Sequence, residues 1–237
     1  MKKVLIGFEE SQAVTKAFRK RGFEAYSNDI KECTGGHPEW HLQMDMFDAL
    51  KYMEWDLIIL HPPCTAIAIS GNSTYAKGKP KEQARLDAIE FTQKVWNHAT
   101  SICDYVALEN PVGCLNTLGN FPKPQYIQPY QFGHTDSKKT GLWLHNLPKL
   151  TPTKIMEPVW YTNPDGTVYR DKGGSRYSVT HYYGGRNLKP RWSNQTPSGQ
   201  NKLGPSPDRG TLRSKTYEGI AEAFAKQWGD HINKINY

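Results

Sequence analysis

The chain has 237 residues and a formal charge of +7; 37% of it is hydrophobic, 22% is charged, and its apolar runs are strand-sized pieces such as Leu57 to Leu60. That composition excludes a helical membrane span and a mostly disordered chain. The length suits one main domain with a small appended lobe. The charge is uneven: residues 151–215 hold 11 Lys and Arg against 4 Asp and Glu, which is the whole excess. One segment therefore carries the signal for a polyanionic partner. The four cysteines, Cys33, Cys64, Cys103 and Cys114, lack the paired spacing of a structural zinc site, so no metal is expected. The start, Met1 to Gly7, has neither the apolar length nor the small-residue cleavage pattern of a secretory signal. A cytoplasmic location with reduced thiols is expected, with no membrane and no obligate protein partner.

Residues 1–150 alternate short apolar strands with helical stretches, the α/β pattern of a parallel sheet covered by helices on both faces. Candidate strands are Lys3 to Phe8, Glu24 to Asn28, Leu42 to Asp45, Leu57 to Leu60, Tyr105 to Glu109, Tyr126 to Phe132 and Leu142 to Leu144. Ser11 to Arg21 reads as a first helix. Lys81 to Ala99 reads as a longer one, with Ala84, Ala88, Phe91, Val95 and Ala99 at helical spacing for the core. The last two strands are joined only by Gly133 to Gly141, which suits an antiparallel hairpin at the sheet edge.

Residues 151–212 change character, with eight Gly and seven Pro among Trp160, Tyr161, Tyr169, Tyr177, Tyr182, Tyr183 and Trp192. So many large aromatics predict a small irregular lobe rather than a flexible linker. Residues 213–237 return to helix, with Ile220, Phe224 and Trp228 on one face, and are expected to pack back on the first domain.

In an open α/β sheet, ligands bind beyond the carboxyl ends of the strands. The run ending at Leu60 delivers His61-Pro62-Pro63-Cys64 to such an end, and the prolines restrict the backbone leading into the thiol. A free cysteine is usually a buried apolar group. This one opens a polar loop and is the candidate nucleophile. The run ending at Leu108 delivers Glu109-Asn110-Pro111 to the neighbouring place, a candidate acid with an amide beside it. Asp29 and Asp45 close the second and third strands. Carboxylates at such ends bind ribose hydroxyls or an adenine amino group, or cap the helix that follows.

In this order and spacing, Pro63-Cys64, Ala68-Ile69-Ser70-Gly71, Glu109-Asn110-Pro111 and Phe132-Gly133 resemble the motifs of the cytosine-C5 DNA methyltransferase family, above all its compact phage and prophage members. The resemblance covers residues 1 to about 146 well and the last helix loosely. It implies a Rossmann-like, S-adenosylmethionine-dependent methyltransferase sheet. It also implies a cofactor site at Gly7, Phe8, Glu9, Asn28, Asp29, Asp45, Pro62 and Pro63.

Three departures stand out. The first-strand turn reads Gly7-Phe8-Glu9-Glu10 in place of a glycine-rich loop. Thr140 stands where the family has a base-contacting Arg, with Lys138 or Lys139 as its imperfect replacement, because a Lys lacks the planar fork. The late Gln-x-Gly-Asn is replaced by Tyr217-Glu218-Gly219-Ile220.

The resemblance implies attack of Cys64 on C6 of cytosine, with Glu109 assisting at N3 and Asn110, Lys138 and Lys139 in support. The basic lobe is then expected to hold DNA through Arg176, Arg186 and Arg191, with Tyr182, Tyr183 and Trp192 stacking on bases. The rivals are the same chemistry on RNA or on free dCMP, and a relative that binds nucleic acid without turnover. A cysteine hydrolase would need an oriented histidine base, and nothing in the sequence orients His61.

Overall fold

The computed structural model describes residues 1–163, 165, 167–169, 188–204 and 215–234. Seven strands form one sheet: β1 (Lys3–Gly7), β2 (Glu24–Asp29), β3 (His41–Gln43), β4 (Leu57–Leu60), β5 (Val106–Pro111), β6 (Gln125–Ile127) and β7 (Thr140–His145). Their spatial order is β3-β2-β1-β4-β5-β7-β6, with β1 to β5 parallel and β7 antiparallel to both β5 and β6. The expected hairpin is present, and its second strand is the one inserted beside β5. The order reverses between β1 and β4, and at such a reversal open α/β sheets bind ligands beyond the carboxyl ends of the strands.

Helices flank this sheet: α1 (Ala13–Lys20), α2 (Met46–Lys51), α3 (Asn72–Tyr75), α4 (Glu82–Ile102) and α5 (Leu115–Leu118). The chain closes with the helical segments Glu218–Ala223, Phe224–Trp228 and Gly229–Lys234, the middle one a π-helical turn. Side chains alternate across a strand. Leu5, Ile58, Leu60, Val106 and Leu108 therefore share one core with Met46 and Leu50 of α2 and Ile89, Val95 and Ala99 of α4. Val4, Ile6, Leu57 and Ile59 are equally buried and point the other way. α1 packs against Phe224–Trp228, and Phe224 and Trp228 are fully buried, as the sequence pattern requires. Among the described residues, no helix is long and apolar enough to cross a membrane.

Three local expectations are corrected. The third strand stops at Gln43, because the Asp45 side chain accepts from the Phe47 N–H at 2.8 Å and starts α2 as its N-cap. The sixth stops at Ile127, because Pro129 opens a 3-10 turn and has no N–H to extend a ladder. The buried face of α4 is Arg85, Ile89, Thr92, Val95 and Ala99, while Ala84 is exposed. Arg85 turns inward because its Nε donates to the Ala66 carbonyl at 2.7 Å.

The chain divides into two units: Met1–Ile127 with Lys139–Thr151 and Ile220–Tyr237, and Gln128–Lys138 with Pro152–Gly219. In the second, β8 (Trp160–Thr162) pairs antiparallel with β9 (Lys189–Arg191). Trp160, Tyr161 and Trp192 are buried there as a small aromatic core. Asp136 ties distant parts of this unit together: it accepts from the Ser193 hydroxyl and, at 2.9 Å, from the Tyr217 hydroxyl. Burial and that carboxylate push the Tyr217 phenol above its ordinary pKa.

Candidate active site

Parallel pairing of β4 with β5 sets Leu60 beside Leu108, so the next residues of both strands emerge together. His61 Nδ1 lies 3.2 Å from Glu109 Oε2, with the two side chains 11% and 19% exposed. One residue on, the buried Asn110 donates from Nδ2 to the Pro62 carbonyl at 3.0 Å. The loops beyond are joined as well. Ile69 N–H donates to the Val112 carbonyl at 3.0 Å, Cys114 N–H donates to the Ile67 carbonyl at 3.2 Å, and Ala68 bridges Gly113. A Cβ at Gly113 would lie 2.4 Å from the Ile67 oxygen, so only glycine permits this approach.

The Cys64 carbonyl accepts from the Ile67 N–H at 3.0 Å and the Ala68 N–H at 2.9 Å, closing a turn directly after the thiol. Arg85, 5% exposed, braces the same turn through the Ala66 carbonyl. Cys64 is partly exposed, whereas Cys103 and Cys114 are buried. Burial pushes the Cys103 thiol up to about 11 and raises Cys114 as well. Those two are core thiols.

The ends of β1, β2 and β3 are built differently. Glu9 is 4% exposed, and its carboxylate accepts from Val14 N–H at 2.6 Å, Thr15 N–H at 3.1 Å and Thr15 Oγ1 at 2.7 Å. It satisfies the orphan donors at the start of α1. Phe8 takes a left-handed φ of 62° in the turn that allows this. A Cβ at Gly7 would meet Met46 Sδ at 2.5 Å, so this glycine lets α2 pack on β1. Asn28, also buried, donates to the Leu42 and Met44 carbonyls at 2.8 and 2.9 Å and fastens β3. Asp29 accepts from the Lys31 N–H at 3.0 Å through Oδ1 and is partly exposed; Asp45 is exposed at the start of α2. Pro62 is buried and Pro63 exposed. Ile30, which sequence reasoning missed, follows Asp29 and is 72% exposed. Its signal is an apolar residue directly after a strand-end acid.

Thr140 is buried and faces Pro111 across the β5–β7 register. Lys139 holds its ammonium 4.3 Å from the centre of the Tyr126 ring. In the second unit, the Lys138 N–H donates to Gln128 Oε1 at 2.9 Å and its ammonium to the Lys215 carbonyl at 3.4 Å. Arg191 donates from Nε to the Pro197 carbonyl at 2.7 Å. Trp192 is stacked at 4.0 Å on Tyr130 inside this unit, so its ring is part of a core rather than an open platform. Arg176, Tyr182, Tyr183 and Arg186 lie outside the described residues. Among the described residues, no group of three or more His, Cys, Asp or Glu is placed to hold a metal ion.

No protein-family model matches the chain, and no curated protein matches it in sequence. Among solved structures it is similar to the Entamoeba histolytica methyltransferase EhMeth, at 11% identity and a TM-score of 0.48 over 66% of this chain and 58% of that one. It is also similar to the S. pombe Dnmt2 methyltransferase, at 16% identity and a TM-score of 0.41 over 60% and 48%. A third similar structure is a Spodoptera frugiperda DNMT2 mutant, at 19% identity and a TM-score of 0.39 over 66% and 54%. The chain spans about half the length of the solved structures it matches.

Proposed function

We propose that this chain transfers a methyl group from S-adenosylmethionine to C5 of cytosine in DNA, through a covalent adduct between Cys64 and C6. The observation that carries this reading is the fastening of the Cys64 loop to the Glu109 strand end by the Asn110–Pro62 bond, the Ala68–Gly113 bridge and the His61–Glu109 contact. A thiol and a carboxyl held on adjacent strand ends suit one ring attacked at two positions.

A cofactor without phosphates suits the ends of β1 to β3. Dinucleotide folds bring pyrophosphate to a helix N-terminus. Here Glu9 already takes the Val14 and Thr15 donors of α1. Asp29 would accept from ribose hydroxyls, Asp45 from the adenine amino group, and Ile30 would cover one face of the base. When bound, S-adenosylmethionine supplies an electrophilic methyl group.

The chain's own residues do the rest. The Cys64 thiolate bonds to C6 while Glu109 gives its proton to N3, so the electron pair of the C5–C6 double bond becomes available at C5. After C5 has taken the methyl group, the C5 proton passes to solvent water, the electron pair of that C–H bond restores the C5–C6 double bond, and Cys64 leaves as thiolate. N3 returns its proton to Glu109. Asn110 acts through Pro62, so it is a positioning residue.

C6 is unreachable inside a duplex, so the target base must leave the stack. The basic second unit is the proposed phosphate contact, with Arg191 and the segment holding Arg176, Tyr182, Tyr183 and Arg186. The test is incubation with methyl-labelled S-adenosylmethionine and duplex DNA, RNA or dCMP in parallel, with Cys64→Ala as control. Label at C5 of DNA cytosine that vanishes in the variant is expected. Label only in RNA or dCMP would move the substrate, and DNA binding without label in any substrate would favour a non-catalytic relative.

A further inference from the structure

We infer that His61 is the positioning residue for Glu109: its Nδ1–H holds one carboxyl oxygen so that the other oxygen presents the proton to the cytosine ring. This inference rests on the methyl-transfer reading above.

The two side chains are neighbours because β4 and β5 are in parallel register, and they meet at 3.2 Å while mostly withdrawn from water. The backbone under the histidine is fixed on both sides. His61 N–H donates to the Gly7 carbonyl of β1 at 3.0 Å, and Asn110 holds the carbonyl of the next residue, Pro62. A ring mounted on such a strand end is a more exact support than a loop side chain.

The protonation pattern follows from the other ring nitrogen. Nε2 is buried with no hydrogen-bond partner. A proton on Nε2 would be buried there without an acceptor, whereas a proton on Nδ1 leaves only a lone pair unmatched at Nε2. The Nδ1–H arrangement is therefore the one this geometry suits, and it makes His61 a donor toward Glu109 Oε2. With Oε2 accepting from the histidine, Oε1 is the oxygen that carries the proton when Glu109 is in its acid form. As the Sγ–C6 bond forms, that proton moves from Oε1 to N3, and the histidine keeps its own proton throughout. His61 thus orders the acid without exchanging a proton with the substrate.

The experiment compares His61→Ala and His61→Asn with the wild-type chain, reading kcat and KM for methyl transfer together with thermal melting. An Asn side chain places an amide N–H close to where Nδ1 stands. His61→Ala is expected to lower kcat by roughly 10- to 100-fold with KM for S-adenosylmethionine and the cytosine substrate nearly unchanged, as misplacement of a reacting group does. His61→Asn is expected to recover most of that loss. Wild-type kcat in a folded His61→Ala variant would overturn the inference, as would a folded His61→Asn variant that is no better than His61→Ala. A rise in KM with kcat unchanged would also overturn it. If His61→Ala fails to fold, His61→Asn alone decides, through near-wild-type or depressed kcat. Absence of methyl transfer by the wild-type chain would instead overturn the parent reading, and this inference with it.

Discussion

The strand ends of β4 and β5 and those of β1 to β3 carry similar residue types, yet they use them in opposite ways. At β4 and β5, polar side chains face one another: His61 meets Glu109, and Asn110 reaches across to Pro62. At β1 to β3, they turn back into the scaffold. Glu9 caps α1, Asn28 fastens β3, and Asp45 starts α2. The partners of a strand-end acid thus differ between the two places: Glu109 faces a side chain of the adjacent strand, whereas Glu9 and Asp45 accept from backbone N–H groups of the next helix.

Substitutions on the two sides should therefore fail in different ways. Cys64→Ala is expected to reduce methyl transfer by on the order of 10³-fold or more while the melting temperature holds, because in the proposed mechanism the lost group bonds directly to the ring. Glu109→Gln should lower kcat by roughly 10²- to 10³-fold with S-adenosylmethionine binding retained, checked by turnover and by calorimetric titration. If it abolished cofactor binding instead, the two sides would not be separable. Glu9→Ala should do the reverse. Loss of a buried cap costs about 2 kcal/mol, roughly a 4–8 °C fall in the melting temperature of a chain this size, and remaining folded protein should keep its kcat.

The smallest effect concerns the thiols. Burial holds the Cys103 proton to about pH 11 and raises Cys114 too. Iodoacetamide at pH 8, followed by peptide mass mapping, should therefore label Cys64 well before Cys103 or Cys114. The folded state keeps the Cys103 proton longer than the unfolded chain. Its contribution to stability is complete below the ordinary thiol range and declines as pH rises toward about 11.

The half of the fold around β4 and β5 was legible because its signals are local. A continuous apolar run stops and chemistry begins at the next residue, as in Leu57 to Cys64 and Val106 to Asn110. The residues that misled are charged or polar groups whose partners are backbone atoms brought near only by folding. Arg85 is absent from the core stripe expected on α4, yet it lies 5% exposed because the turn after Cys64 offers it carbonyls. Glu9 sits where a ligand-binding turn is expected, and only the approach of α1 shows its carboxylate occupied. The contact between His61 and Glu109 joins residues 48 apart in sequence, and it depends on a strand register that no local pattern encodes.

The most direct test of the central claim uses duplex DNA in which the target cytosine carries fluorine at C5, incubated with S-adenosylmethionine and analysed by peptide mass spectrometry. Fluorine cannot leave as a proton does, so the final elimination is blocked and the adduct persists. A peptide containing Cys64 that carries the methylated nucleotide is expected. Methylation of ordinary cytosine in DNA by the same preparation, without an adduct or with one at another cysteine, would contradict it.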